Sequence, residues 1–414
     1  MSPFTRAARN RAIGLLGAMA AVVATWTVAA PAAQAEDMRS RQWYLDAMKA
    51  DEMWKVATGK GITVAVLDTG VDSTVSELRG KVLPGRNFNG EGLGRVDGKD
   101  TNRHGTNMAI AIAGSGTNGG VKGIAPDAQI LPVKIADSSS FGLLDPTTKG
   151  IRYAVDNGAR VINISFAGPA DESEIPKWRE AVDYAQKKGA LIFAGAGNEG
   201  LGIRVYPAAI PGVVAVGALD TSGKIAKFSN YGAHLALAAP GVDIPSRCIE
   251  DKNRYCAQGG TSQATAIASG TAALIWSAHP DWTGNQVLRV MMETAGHNGP
   301  VPSKYIGYGS VRPAQVLLEG KGNPGDPHVN PLLAAQGGGQ ATTSKPSQPA
   351  KASQTSPSPE NTGASGSDQV KDQAAGSDEG GFPLWAIVAS AVAVVAVIGL
   401  VVAAGVRRRA STDA

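Results

Sequence analysis

Ile62-Thr63-Val64-Ala65-Val66-Leu67-Asp68-Thr69-Gly70 is the stretch on which the fold turns. The six residues before Asp68 are aliphatic or β-branched and do not alternate with polar ones, the pattern of a strand buried on both faces of a parallel sheet. Runs of the same kind recur at 130–135, 161–164, 191–194 and 213–216. Helical candidates lie between them at 108–113, 147–157 and 174–188, so the order is βαβ and the fold class is α/β. About 285 residues separate 36 from 320, enough for one large domain, and no internal repeat divides them.

Such a sheet binds its ligands beyond the carboxyl ends of its strands, which is where functional side chains should be sought. Asp68 occupies that place on the first strand, although an Asp after a strand often does no more than cap a turn. Of the 5 histidines, His328 lies in a region of biased composition, His279 precedes Pro280, and His297 sits close to Pro300. His104 differs: His104-Gly105-Thr106 opens an apolar helix and puts an imidazole at its start. Ser262 follows Gly259-Gly260-Thr261 and precedes the small-residue stretch 263–273, predicting a helix that passes through the core with the hydroxyl at its N-terminus. That end of a helix favours developing negative charge. Taken alone, Ser262 reads as a plain N-cap and Asn198, in Gly197-Asn198-Glu199-Gly200, as a turn residue.

Together, Asp68-Thr69-Gly70, His104-Gly105-Thr106, Gly197-Asn198 and Gly260-Thr261-Ser262 resemble the four signature blocks of subtilisin-like proteases, in the subtilisin chain order Asp, His, Ser. The resemblance continues through Gly123-Ile124-Ala125-Pro126, Asn163-Ile164-Ser165-Phe166 and Ala239-Pro240-Gly241, and so covers residues 43–318. With the arrangement of both ends of the chain, it points most closely to the mycosins, actinobacterial subtilases associated with type VII secretion.

The resemblance implies a subtilisin-like three-layer fold with a mostly parallel central sheet flanked by helices. It implies Ser262 as nucleophile, His104 as general base and acid, Asp68 as orienting carboxylate, and Asn198 with the Ser262 N–H as oxyanion donors. Ser165, Phe166, Ala167 and Gly168 would pair with an extended polypeptide substrate, while Ala196, Gly197 and Glu199 would wall the primary pocket. A cis Tyr206-Pro207 bond is implied as well. The triad requires no cofactor and no metal. Structural calcium stays open, because calcium sites built from loop carbonyls and scattered carboxylates leave no short motif. Three departures from the family pattern flank the triad: Asn107-Met108 after the histidine block, Gln263 after the serine, and Ala266-Ile267 in place of a Pro-containing pair.

The two ends read as export and anchoring segments. Arg6, Arg9 and Arg11, the apolar run 12–30 and Ala33-Gln34-Ala35 predict a signal peptide over 1–35. The uncharged stretch 382–406 is long enough for a transmembrane helix, and Arg407, Arg408 and Arg409 after it place the tail 407–414 in the cytoplasm and the domain 36–320 outside. Between them, 321–381 is rich in Pro, Ser and Gly and reads as a disordered linker, about 40–45 Å end to end. About 26 residues separate the signal from the first strand, too few for a chaperone-like prodomain.

The formal net charge is +4, but three leader arginines and a net two from the tail leave the exported part at −1. A nucleic-acid binder would need a concentrated basic face. The 2 cysteines, Cys248 and Cys256, lie outside the cytoplasm on this topology and read as a disulfide; a metal site would want further Cys or His ligands nearby. Gly114-Ser115-Gly116-Thr117-Asn118-Gly119-Gly120 lacks the strand and helix context of a nucleotide-binding loop, and Gly260-Thr261-Ser262-Gln263-Ala264 is not a G-x-S-x-G esterase elbow. The competing reading from another class is a non-catalytic scaffold that stabilises a membrane secretion complex.

Overall fold

The computed structural model describes residues 37–89, 94–96, 100, 102–137, 144–251 and 253–337, with only the backbone for 94–96. In these residues β1 (Thr63–Asp68), β2 (Gly85–Asn87), β3 (Gly94–Val96), β4 (Gln129–Lys134), β5 (Val161–Ile164), β6 (Leu191–Gly195), β7 (Val214–Leu219) and β8 (Leu235–Pro240) form one sheet. Their order is β3-β2-β4-β1-β5-β6-β7-β8, and β9 (Ile244–Arg247) and β10 (Tyr255–Gln258) make a separate antiparallel pair. Neighbours in the large sheet run parallel except β2 and β3. The helices are α1 (Trp43–Ala47), α2 (Ala50–Met53), α3 (His104–Ala113), α4 (Leu144–Asp156), α5 (Ile175–Lys187), α6 (Thr261–Ala278), α7 (Gly284–Glu293), α8 (Pro313–Leu317) and α9 (Pro331–Ala335).

Period-two geometry sends successive strand residues to opposite faces, and here both faces are covered. Val64, Val66, Phe193, Val214 and Val216 pack on the side of α3 and α6, while Ala65, Leu67, Ile162, Ile164 and Ile192 pack against α4 and α5. This two-sided burial explains the lack of alternation in the sequence. The α6 helix is buried on nearly every side. Its run of Ala264, Ala266, Ala268, Gly270 and Ala272 lets neighbouring backbones approach, so a helix with no polar face is stable only as the middle of a core.

β1 pairs with β4 on one side and with β5 on the other, so the strand order reverses around it. A crevice forms at such a switch point, beyond the strands' carboxyl ends. Asp68 is the last residue of β1, Ser165 follows β5, and Gly197 and Asn198 follow β6.

Residues 37–57 are built into the domain. Tyr44, Leu45 and Met53 are fully buried, and the buried Gln42 amide accepts from the Lys122 N–H and donates to the Lys122 carbonyl, at 2.9 and 2.7 Å. The Trp43 and Trp54 indoles donate to the carbonyls of Val242 and Ile124. Removing this segment would expose core, so it forms part of the working domain.

At the other end, the linker expected from residue 321 begins too early. Asn330 caps α9, Leu332 is 2% exposed within the core, and the Thr283 and Asn285 side chains both donate to the Pro327 carbonyl. Pro and Gly are frequent there, and a single buried leucine with a few backbone acceptors is enough to dock the segment. The remaining linker, the signal segment with Glu36, the span expected at 382–406 and the tail lie outside the described residues. Among the described residues no helix is long and apolar enough to cross a membrane.

Ending the chain after 337 should leave thermal unfolding unchanged relative to a chain extended to 381. Ending it after 320 should lower stability by at least about 2 kcal/mol for the lost Leu332 burial, some 4–8 °C in a domain of this size. Equal unfolding temperatures for all three would mean that 321–337 contributes nothing.

Candidate active site

Asp68 is fully buried at the end of β1. Its Oδ1 accepts from the Thr69 N–H at 2.8 Å and lies 2.8 Å from His104 Nδ1. That contact fixes the imidazole through Nδ1 and leaves Nε2 for proton transfer. The close approach of β1 to α3 depends on Gly105, since a Cβ there would collide with the Gly70 carbonyl oxygen and come within 2.9 Å of the Asp68 Cβ. Burial opposes a charge on His104, but the charge of Asp68, its hydrogen bond and a further contribution from Asp100 outweigh that effect. The imidazole is held above the ordinary histidine pKa.

Ser262 is the second residue of α6, and its N–H is among those at a helix start that have no intrahelical acceptor. Its hydroxyl donates to the Ser165 carbonyl at 3.1 Å. Ser165 Oγ in turn donates to the Ser262 carbonyl at 3.2 Å. The Asn198 Oδ1 accepts from the Thr261 N–H at 2.8 Å and from Thr261 Oγ1 at 3.1 Å. With its oxygen anchored on the start of α6, the amide's Nδ2 is its available donor.

His104, Asn198 and Ser262 line one cleft of about 690 Å³, together with Ser165, Phe166, Ala167, Gly168, Gly197 and Glu199. The Phe166 ring packs edge-on against the His104 imidazole, 5.7 Å between centroids. Gly168 and Tyr206 exchange backbone hydrogen bonds. The Tyr206-Pro207 bond beside them is cis, as the resemblance implies. Gly197 adopts φ +97°, and a Cβ there would collide with Asn230 Nδ2. This left-handed turn lets Asn230 bridge the loop, accepting from the Glu199 and Leu201 N–H groups and donating to Glu199 Oε2 at 2.6 Å.

One expected pocket residue is corrected. Ala196 is fully buried in the core beneath the site and does not line the cleft, because it continues the inward face of β6. Sequence reading missed Thr69, Asn102, Pro169, Ile203, Arg204 and Val205, which also line the cleft. It missed Asn230 and Asp100 too. An acid four residues before a helix-opening His is a signal for Asp100; nothing local marks Asn230.

The departures beside the triad have structural accounts. The Asn107 amide donates to the Arg247 carbonyl and accepts from the Arg247 N–H, both at 3.0 Å, so it ties α3 to β9 in the manner of an added strand residue. Gln263 Nε2 donates to Gln258 at 3.2 Å. Ala266 and Ile267 are fully buried within an unbroken α6. Cys248 and Cys256 form the disulfide that closes the β9–β10 hairpin. The buried Glu77 carboxylate beneath it meets Arg247 at 2.6 Å and the Tyr255 hydroxyl at 2.6 Å. Burial would raise the Glu77 pKa, but these two partners hold it below the usual carboxylate range. Among the described residues no cluster of three or more His, Cys, Asp or Glu forms a candidate metal site.

Comparison with known proteins agrees with this fold. The major intracellular serine protease of Bacillus subtilis (strain 168) is 40% identical over 238 residues, which are 56% of this chain and 73% of that protein. The crystal structure of MycP1 from Mycobacterium smegmatis has a TM-score of 0.60 at 29% identity, covering 69% of this chain and 86% of that one. MycP1 from the ESX-1 type VII secretion system gives a TM-score of 0.61 at 29% identity, with 70% and 88% covered. The model of the subtilase family matches residues 59–309, from before β1 to beyond Ser262, and the chain therefore belongs to the subtilase family.

Proposed function

We propose that this subtilase is an active serine endopeptidase, with Ser262, His104 and Asp68 as its triad. The observation that carries the reading is the 2.8 Å contact between the buried Asp68 carboxylate and His104 Nδ1, at one end of a cleft that Ser262 also lines. A substrate chain lies extended along 165–168. His104 Nε2 takes the Ser262 proton as Oγ attacks the scissile carbonyl carbon, and Asp68 stabilises the imidazolium. The Ser262 N–H and Asn198 Nδ2 receive the oxyanion. Collapse of the intermediate passes the proton to the leaving amine and leaves an acyl-enzyme, which water cleaves by the same route in reverse.

The predicted signal peptide, the apolar stretch 382–406 and the arginines after it support a domain held outside the cell by a single C-terminal helix. The likeness to MycP1 supports a role in type VII secretion, with processing of exported polypeptides as the corresponding activity. One observation favours the scaffold reading: Ser262 Oγ is bonded to the Ser165 carbonyl, so the nucleophile does not rest on its base.

The test is labelling of the exported, processed protein by a fluorophosphonate. The rate should fall as pH drops, because only neutral His104 acts as base, with a midpoint above the ordinary histidine value of about 6.5. A protein that supports secretion yet neither labels nor cleaves peptides would leave the scaffold reading standing instead.

A further inference from the structure

We propose that Asp100 is a positioning residue for the His104 base, a role that rests on the catalytic reading above. One buried carboxylate ties together the two elements that must meet. Its Oδ1 accepts from Thr69 Oγ1 at 2.8 Å and from the Arg103 N–H at 2.9 Å. Its Oδ2 accepts from the Thr106 N–H at 2.8 Å and from Thr106 Oγ1 at 2.6 Å. Thr69 stands next to Asp68 at the end of β1, and its hydroxyl also accepts from the Gly105 N–H at 3.0 Å. Asp100 thus holds the first turn of α3 and, through one hydroxyl, the turn that carries Asp68.

Two consequences follow from this placement. The distance from Asp68 to His104 is fixed from both sides, since neither the β1 end nor the α3 start can shift without breaking bonds to the same carboxylate. A second negative charge also stands near the imidazole, so the imidazolium formed in the reaction is favoured. Among the described residues, the other charged groups around this turn are Asp68 itself, Arg103, whose guanidinium is directed to the Cys248 carbonyl at 2.8 Å, and Asp72, whose N–H donates to Thr106 Oγ1. Glu199 faces the same cleft from the β6 side. Asp68 and Asp100 are the two whose charge raises His104.

Asp100→Asn in the full chain is the decisive variant, because it keeps the shape while removing the charge and part of the acceptor capacity. Fluorophosphonate labelling at its pH plateau should slow by about tenfold to a hundredfold, and the acid limb of its pH profile should move to lower pH. Imidazole titration by NMR, with His104 assigned from a His104→Gln variant, should show the same downward move without reference to catalysis. Thr69→Val should slow labelling with the His104 midpoint unchanged, since the carboxylate stays in place.

A folded Asp100→Asn protein with an unshifted His104 midpoint and the parent's labelling rate would overturn the proposal. If Asp100→Asn does not fold, parent-like labelling by Thr69→Val would overturn it equally. Should the parent itself fail to label, the endopeptidase reading fails, and the NMR midpoint still decides the role of Asp100.

Discussion

Changing Ser262 to Ala is expected to abolish fluorophosphonate labelling and to reduce peptide cleavage on the order of 10⁶-fold, the size carried over from the subtilisin triad. That loss corresponds to about 8 kcal/mol of transition-state stabilisation. The structural cost is far smaller, because Ser262 is only partly buried and its hydroxyl gives up one hydrogen bond, to the Ser165 carbonyl. A single bond of that kind is worth about 0.5–1.5 kcal/mol. The variant should therefore fold and be exported like its parent while losing its chemistry. Residual cleavage within tenfold of the parent would remove Ser262 from the nucleophile's role. Loss of cleavage with no loss of secretion would separate peptide cleavage from the proposed role in secretion in one experiment.

The next largest effect is expected at Asn198, where two roles must be kept apart. Its Oδ1 accepts from the Thr261 N–H and hydroxyl and so helps hold the start of α6, while Nδ2 is the proposed oxyanion donor. Asn198→Ala removes both. Turnover should fall by about 10²–10³-fold, some 3–4 kcal/mol, mainly in kcat because the donor acts in the transition state. Asn198→Asp retains an oxygen facing Thr261 but removes the donor and adds a charge that repels the oxyanion. It should keep the parent's unfolding temperature and turn over no faster than Asn198→Ala. Near-parent turnover in either variant would exclude Asn198 from the oxyanion site. Normal turnover in Asn198→Asp alone would reduce its role to holding α6.

How legible each part was follows from the physics of its signal. The buried strands were read because parallel strands covered on both faces need uninterrupted apolar runs, and β5 matches its expected span of 161–164. β8 escaped notice because Leu235-Ala-Leu-Ala-Ala-Pro is alanine-rich and carries little intrinsic strand preference. Its strand conformation comes from pairing with β7, with a register shift at Ala215 and Val216 that no local pattern reports. β9 and β10 escaped for a related reason: both are short, β10 is partly exposed, and the pair is held by a disulfide and by the Glu77–Arg247 pair.

By itself, the sequence determined the α/β class, five of the buried strands, the core-crossing helix after Ser262 and the residue types available for catalysis. These depend on local composition and short-range period, which any stretch of chain carries within it. Only the tertiary structure decided that Asp68 meets His104 through one carboxylate oxygen, that Asn198 anchors α6, that Ala196 turns into the core, and that Asp100 joins the β1 turn to α3. It alone carried the ordered domain past 320 to the docking of Leu332. Each of these is a contact between groups far apart in the chain or a choice of face. Its free energy depends on where two elements come to rest, a quantity no window of neighbouring residues contains.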